Sequence, residues 1–206
     1  MLILGIETSC DETAAAVVKD GNEVLSNIIS SQVDIHSKYG GIVPELACRN
    51  HIENLPVVIR KVMDEAKLGM SDLDGLAVTV GPGLIGALLI GVNTAKGIAY
   101  SLNKPLIPVN HLEGHMLSIF LEKKSPEFPF IALIISGGHT DLYLVKDFTD
   151  YNVLGRTRDD AVGESFDKVA RMLDLGYPGG PIIERIARDG SSGDIKFPRP
   201  MLVKGN

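Results

Sequence analysis

Two histidines four residues apart, His111 and His115 in the run His-Leu-Glu-Gly-His, carry the first chemical signal in the sequence. On a helix this spacing puts both imidazoles on one face, a turn apart, where they can reach a single metal ion. The strand-like run 105–110 comes just before, so the pair opens a helix at the C-terminal end of a strand. That edge is where open α/β sheets bind ligands. Two polar residues on a solvated helix start would look the same, and spacing alone leaves both readings open. The zinc-protease pattern His-Glu-x-x-His is absent here: Glu113 lies midway between the histidines and points off their shared face.

Three other groups of residues have chemical potential. Gly137-Gly138, in the turn Ser136-Gly137-Gly138-His139, would let backbone N–H groups approach a phosphate, or would serve a hairpin turn that needs positive φ. Ser9-Cys10-Asp11 occupies the matching place in an earlier hairpin, and two such hairpins facing each other form a phosphate clamp. Asp11 and Glu12 either solubilise their hairpin or orient a substrate and act as base. In the acidic run Asp159, Asp160, Glu164 and Asp167, the first two suit the acidic start of a helix. Asp167 stands beside the apolar Phe166 and Ala170, and a carboxylate near a ribose could accept both hydroxyls. Gly179-Gly180 before a helix is a nucleotide contact or a cap.

The elements that must position these residues follow from composition and pattern. The 206 residues suffice for one large domain or two small ones. Apolar residues at 45% and charged residues at 22% describe an ordinary globular mix, and 5% aromatics with no Trp require an aliphatic core. A net charge of −6 argues against broad, non-specific nucleic-acid binding. Cys10 and Cys48 are too few for a disulfide framework, which points to a reducing cytosol. The apolar start is interrupted by Glu7 and reads as a strand rather than a signal peptide. The apolar stretch 84–92 contains two Gly and is too short to span a bilayer, so no membrane is expected.

In chain order, strands are expected at 2–6, 13–19 and 23–29, then a polar loop through 44. A helix follows from 45 to 68, with Leu46, Ile52, Leu55, Val58, Ile59 and Val62 on its apolar side and a kink or restart at Pro56. A strand at 73–80, a buried helix at 84–102 with a small-residue side, a strand at 106–109 and the histidine helix to about 121 complete the first half. The charged, Pro-containing joint 122–129 is a domain boundary, giving 1–125 and 126–206. Strands at 130–135, 140–145 and 151–156 then repeat the opening pattern. Helices follow at 160–173, with Ala161, Phe166, Val169, Ala170 and Leu173 on the apolar side, and at 182–188. The order β-β-β-α-β-α-β-α and its partial repeat are those of the α/β actin-like ATPase (ASKHA) superfamily: one complete N-terminal lobe and an incomplete second lobe, as in a truncated chain. Relatives of that fold usually begin each phosphate hairpin with an Asp that holds hydrated magnesium. Glu7 and Ser136 stand there instead, and imidazole prefers zinc or iron.

Taken together, several motifs resemble those of the tRNA threonylcarbamoyladenosine biosynthesis (TsaD) family, also called the glycoprotease or O-sialoglycoprotein endopeptidase family, in its bacterial form. They are Ile6-Glu7-Thr8-Ser9-Cys10-Asp11-Glu12-Thr13, Gly81-Pro82-Gly83-Leu84, the His111/His115 pair, Ser136-Gly137-Gly138-His139-Thr140, Asp159-Asp160 through Gly163-Glu164, Phe166-Asp167-Lys168, and Tyr177-Pro178-Gly179-Gly180. The resemblance implies a cytoplasmic acyltransferase. It would move a threonylcarbamoyl group from threonylcarbamoyl-AMP to the N6 amine of adenosine 37 in tRNAs reading ANN codons. It further implies His111 and His115 as ligands of one Fe2+ or Zn2+ ion, and Ile134, Ile135, Ser136, Gly137 and Gly138 as the cradle of the phosphate region with His139 close by. Asp167 and Gly180 would hold the adenosine, Glu184 would be a further substrate contact, and Asp11 and Glu12 would support catalysis. The implied partners are tRNA, a TsaB-like paralogue and a TsaE-like ATPase. The family's third metal ligand, a carboxylate near its C-terminus, and an Asn that contacts the nucleotide have no counterpart in these 206 residues, so the chain alone is expected to be impaired or inactive. Two alternatives have the same fold: a non-catalytic nucleotide-binding scaffold paralogue, and an ATPase or kinase that would need a magnesium carboxylate at Ser136.

Overall fold

The computed structural model describes residues 1–191 and 195–198. The expected second unit, 126–206, includes residues 192–194 and 199–206, which lie outside the described residues. Alternating burial builds the first sheet. Strands β1 (Leu2–Glu7), β2 (Glu12–Lys19) and β3 (Glu23–Ser31) form an antiparallel meander, and β2 buries Thr13, Ala15 and Val17 at every second position. After α1 (Val33–His36) and α2 (Pro44–Ala66), β4 (Gly75–Gly81) pairs parallel with β1. Helix α3 (Ile85–Leu102) leads to β5 (Leu106–Asn110), parallel to β4, and α4 (His111–Leu117) follows at once. The sheet order is β3-β2-β1-β4-β5, so the C-terminal ends of β1, β4 and β5 lie side by side. Leu4, Ile6 and Val17 from the sheet, Leu55, Val58 and Val62 from α2, and Ala95 and Ala99 from α3 form its core.

The second sheet repeats the meander with β6 (Phe130–Ile135), β7 (Thr140–Val145) and β8 (Tyr151–Arg156), followed by α5 (Val162–Met172) and α6 (Gly179–Ala187). These three strands fall where the pattern put them. Helix α4 is packed on this sheet: Leu112 and Met116 share a core with Ile134, Tyr143 and Val145. Across the lobes, Arg171 on α5 donates to the Gly40 carbonyl.

Several expectations need correction. The loop before α2 contains α1 and a 3-10 turn, Ser37–Tyr39. Helix α2 runs through Pro56 without a restart, because Pro56 lies on the exposed side, where the carbonyl it leaves unpaired faces water. Ile52 is 61% exposed; the buried position of that turn belongs to His51. Helix α3 is half covered. Ala87, Gly91, Ala95 and Ala99 are buried, while Ile85, Leu89 and Tyr100 face outward. Its 18 residues, with a mean hydropathy of 1.3, are long and apolar enough to cross a membrane, but its small-residue face lies against the sheet as in a domain helix. Helix α4 ends at Leu117, and a 3-10 turn, Ser118–Leu121, continues it. On α5 only Ala170 is buried; Phe166, Val169 and Leu173 are exposed, since no further layer covers them among the described residues.

Candidate functional site

The parallel strand ends assemble the site. Asn110 ends β5, and its side chain caps α4, accepting from the amides of Leu112 at 2.9 Å and Glu113 at 3.4 Å. His111 and His115 therefore start on a fixed helical turn. Their Nε2 atoms converge to 3.1 Å, with the rings edge to face. Two nitrogens bound to one ion at about 2.0–2.1 Å each stand roughly 3.0–3.4 Å apart, so the pair has the separation of a bidentate site. Among the described residues no third His, Cys, Asp or Glu completes a metal cluster. His139 is close by, its ring centre 6.0 Å from that of His111. Burial, and then the neighbouring His111, lowers the pKa of both His115 and His139, which keeps them neutral and able to donate a lone pair. Glu113 points away, as expected, and accepts from the Tyr151 hydroxyl.

On the other side of His111, Nδ1 stands 3.1 Å from Ser9 Oγ and 3.3 Å from Glu7 Oε2. Glu7, at the end of β1, also accepts from the Ser9 amide and the Thr79 hydroxyl. Burial pushes its carboxyl up, but the hydrogen bonds from His111, Ser9 and Thr79 outweigh it and hold the pKa at about 2. Thr79 was not singled out in the sequence, and it has no local signal. It meets Glu7 only because β1 and β4 are neighbours.

The turn 136–139 is held by its own serine. Ser136 Oγ accepts from the His139 amide at 3.0 Å and from Gly138 at 3.3 Å. Neither Gly137 nor Gly138 has positive φ, so the hairpin reading does not account for them. A Cβ on either would meet no atom within 4 Å, which leaves open space for an approaching group. Ile134 turns its side chain into the core at 8% exposure, so only its backbone is left to face a ligand, whereas Ile135 is exposed. Asp167 Oδ1 accepts from the Gly179 amide at 2.7 Å, joining α5 to the first turn of α6. Gly179 is required by packing, because a Cβ there would lie 2.4 Å from the Phe166 carbonyl; Gly180 is open. Glu184 pairs with Arg188 on the exposed side of α6. A cavity of about 110 Å³ between the lobes is walled by Gly40, Asp167, Arg171 and Tyr177, and a groove of about 640 Å³ runs beside His115 between α4 and β6.

Asp11 lies on the loop joining β1 to β2, and Glu12 is the first residue of β2. Burial, then the charges of Asp11 and Glu7, raises the Glu12 pKa. Burial and Asp11 push the Cys10 thiol up to about 12, so it is no nucleophile at neutral pH. Burial first, then Asp11 and Asp167, raises Tyr177 to about 12, which reflects how near this loop lies to the second lobe.

Two lobes of one repeat, with polar turns at their strand ends, define an actin-like ATPase fold. YeaZ from Pseudomonas aeruginosa has it too, with a TM-score of 0.53 at 19% identity over 79% of this chain and 68% of its own. So does the activator of the 2-hydroxyisocaproyl-CoA dehydratase from Clostridium difficile, with a TM-score of 0.51 at 15% identity over 93% and 58%. Within that class the sequence is decisive: the family model TsaD, tRNA N6-adenosine threonylcarbamoyltransferase, matches residues 23–205, and the chain belongs to this family. A tRNA N6-adenosine threonylcarbamoyltransferase of Clostridioides difficile (strain 630) is 55% identical over 98% of the chain, and one of Thermodesulfovibrio yellowstonii is 58% identical over 98%. The chain spans about 60% of the length of these curated relatives.

Proposed function

We propose that the chain is part of a metal-dependent tRNA N6-adenosine threonylcarbamoyltransferase, which forms the t6A modification at adenosine 37 of tRNAs reading ANN codons. The observation that carries this reading is the 3.1 Å convergence of the His111 and His115 Nε2 atoms in a chain of this family. The pair suits Fe2+ or Zn2+, which when bound would polarise the carbamoyl carbonyl and hold the departing phosphate.

The remaining work falls to the chain's own groups. The N6 amine of adenosine attacks the carbamoyl carbon of threonylcarbamoyl-AMP, the bond from that carbon to the phosphate oxygen breaks, and AMP leaves with the electron pair. An aryl amine is a weak nucleophile, so orientation dominates the barrier. Glu12, with its pKa moved up toward the working range, takes the amine's proton, and Asp11 orients the loop. The turn Ser136–His139 cradles the phosphate over its two open glycines, flanked by the backbone of Ile134 and Ile135. Asp167 and Gly180 hold the adenosine of the donor, and Glu184 makes a further contact.

The net charge of −6 supports tRNA delivery by partners, a TsaB-like paralogue and a TsaE-like ATPase. The fold shared with YeaZ supports a partner built on the same lobe. The free thiols of Cys10 and Cys48 support a cytoplasmic setting. Incorporation of labelled threonine into unmodified tRNA, measured with the partner proteins present, tests the proposal. Transfer is expected, and it should be lost in His111→Ala/His115→Ala. Transfer unchanged by that double substitution removes the metal's role, and nucleotide hydrolysis without transfer favours the ATPase reading.

A further inference from the structure

The reading of His111 and His115 as a metal-binding pair leaves open what aims the first of them. We propose that Glu7 is the positioning residue of the pair: its carboxylate holds the Nδ1 proton of His111 and so turns the Nε2 lone pair toward the ion. This inference rests on that reading for its function, though not for its geometry.

An ionised carboxylate only accepts, so the contact between Glu7 Oε2 and His111 Nδ1 at 3.3 Å needs the hydrogen on Nδ1. Ser9 Oγ, 3.1 Å from the same nitrogen, can accept as well. A neutral imidazole with its proton on Nδ1 has a bare Nε2. That bare Nε2 is the atom facing His115 Nε2 at 3.1 Å. Glu7 cannot ligate the same ion through this face, because it lies on the Nδ1 side of the ring, away from His115. Its place is that of the carboxylate in a carboxylate–histidine–metal triad, which fixes tautomer and ring orientation and raises ligand basicity.

Glu7 is itself held. One oxygen accepts from the Ser9 amide, the other from Thr79 Oγ1. Ser9 follows β1 and Thr79 lies on β4, so two parallel strands set the carboxylate and the carboxylate sets the helix. The sequence expectation made Glu7 an altered magnesium carboxylate. The geometry gives it a different task, at a position the chemistry of the fold already places at the strand end.

The test uses the 206-residue chain with Co2+ as the metal probe, and two readouts. The first needs no metal: 15N shifts of the His111 ring report its tautomer. The Nδ1–H form is expected in the wild type. In Glu7→Gln the side-chain oxygen keeps the Ser9 amide and the NH2 group faces Nδ1, which moves the proton to Nε2. The second is Co2+ affinity from the visible absorption of the bound ion, expected to fall about 10–100-fold in Glu7→Gln and Glu7→Ala and to recover in part in Glu7→Asp. Unchanged far-ultraviolet circular dichroism confirms folding, and if Glu7→Ala fails to fold, the wild-type tautomer and Glu7→Gln decide. Nε2–H in the wild type, or Co2+ binding that ignores both Glu7 substitutions, overturns the proposal. Equal Co2+ affinity in His111→Ala/His115→Ala overturns the metal reading instead, and the tautomer result then stands separately.

Discussion

The Nε2 atom of His51 stands 3.0 Å from the carbonyl oxygen of Cys10, and its Nδ1 is 2.8 Å from the Thr13 hydroxyl. A carbonyl only accepts, so Nε2 carries the proton and Nδ1 accepts from Thr13. The buried ring thus ties α2 to the residues on either side of Asp11 and Glu12, Cys10 on the loop and Thr13 on β2.

Burial, the largest cause, lowers the His51 pKa from 6.5. The unfolded chain therefore binds the proton more readily than the folded one. The resulting stability is fully present above about pH 6.5 and declines as the pH falls below it. Urea unfolding at pH 7.5 and 5.5 should show a loss at the lower pH that shrinks in His51→Gln. An equal loss in both chains would assign the effect to other groups.

Gly138 and Gly163 make opposite predictions. Gly138→Ala meets no atom within 4 Å and needs no special φ, so stability should stay within about 0.5 kcal/mol while AMP binding weakens. Gly163→Ala puts a Cβ 2.6 Å from the Ser136 carbonyl and should cost about 1–3 kcal/mol by overpacking the turn. Thermal unfolding together with AMP titration separates the two.

Asp167 is expected to have two separable roles. Asp167→Asn keeps an acceptor for the Gly179 amide, so α6 should stay docked and the melting temperature should hold. Asp167→Ala removes the acceptor and should cost about 0.5–2 kcal/mol, as for a lost helix cap. A fall in nucleotide affinity in both variants would place the carboxylate's charge in binding; retained affinity in Asp167→Asn would confine it to the helix.

Tyr151→Phe removes the donor to Glu113. A hydrogen bond to a charged partner is worth about 1.5–3 kcal/mol, and a loss in that range is expected at pH 7. The bond to Glu113, and then burial, raises the Tyr151 pKa from 10.0 to about 12. A raised folded pKa gives stability that is present below pH 10 and is lost as the pH climbs toward 12. The difference between wild type and Tyr151→Phe should therefore narrow with alkali, read by unfolding curves at pH 7 and pH 11.

Local pattern carried most of the fold. The second meander is legible because turn residues bracket each apolar run, and the histidine pair because four-residue spacing has one geometric meaning on a helix. Where tertiary context decided, the sequence was silent. Pro56 promised a break, yet its solvent-side position removed the penalty. Ile52 looked like core, yet the polar His51 beside it takes the interior because Thr13 and Cys10 supply its hydrogen bonds. Glu7 and His111 are 104 residues apart, and only the strand order brings them together.

The helix bearing the histidines is fastened to both halves of the molecule. Leu112 and Met116 bed it in the core of the second sheet, while Glu7 and Ser9 grip His111 from the first. The imidazole pair is in effect a rivet through the seam. Turning one lobe against the other must either slide α4 over β6 or pull His111 off its carboxylate, so the aim of the pair acts as a gauge of how far the two halves are closed.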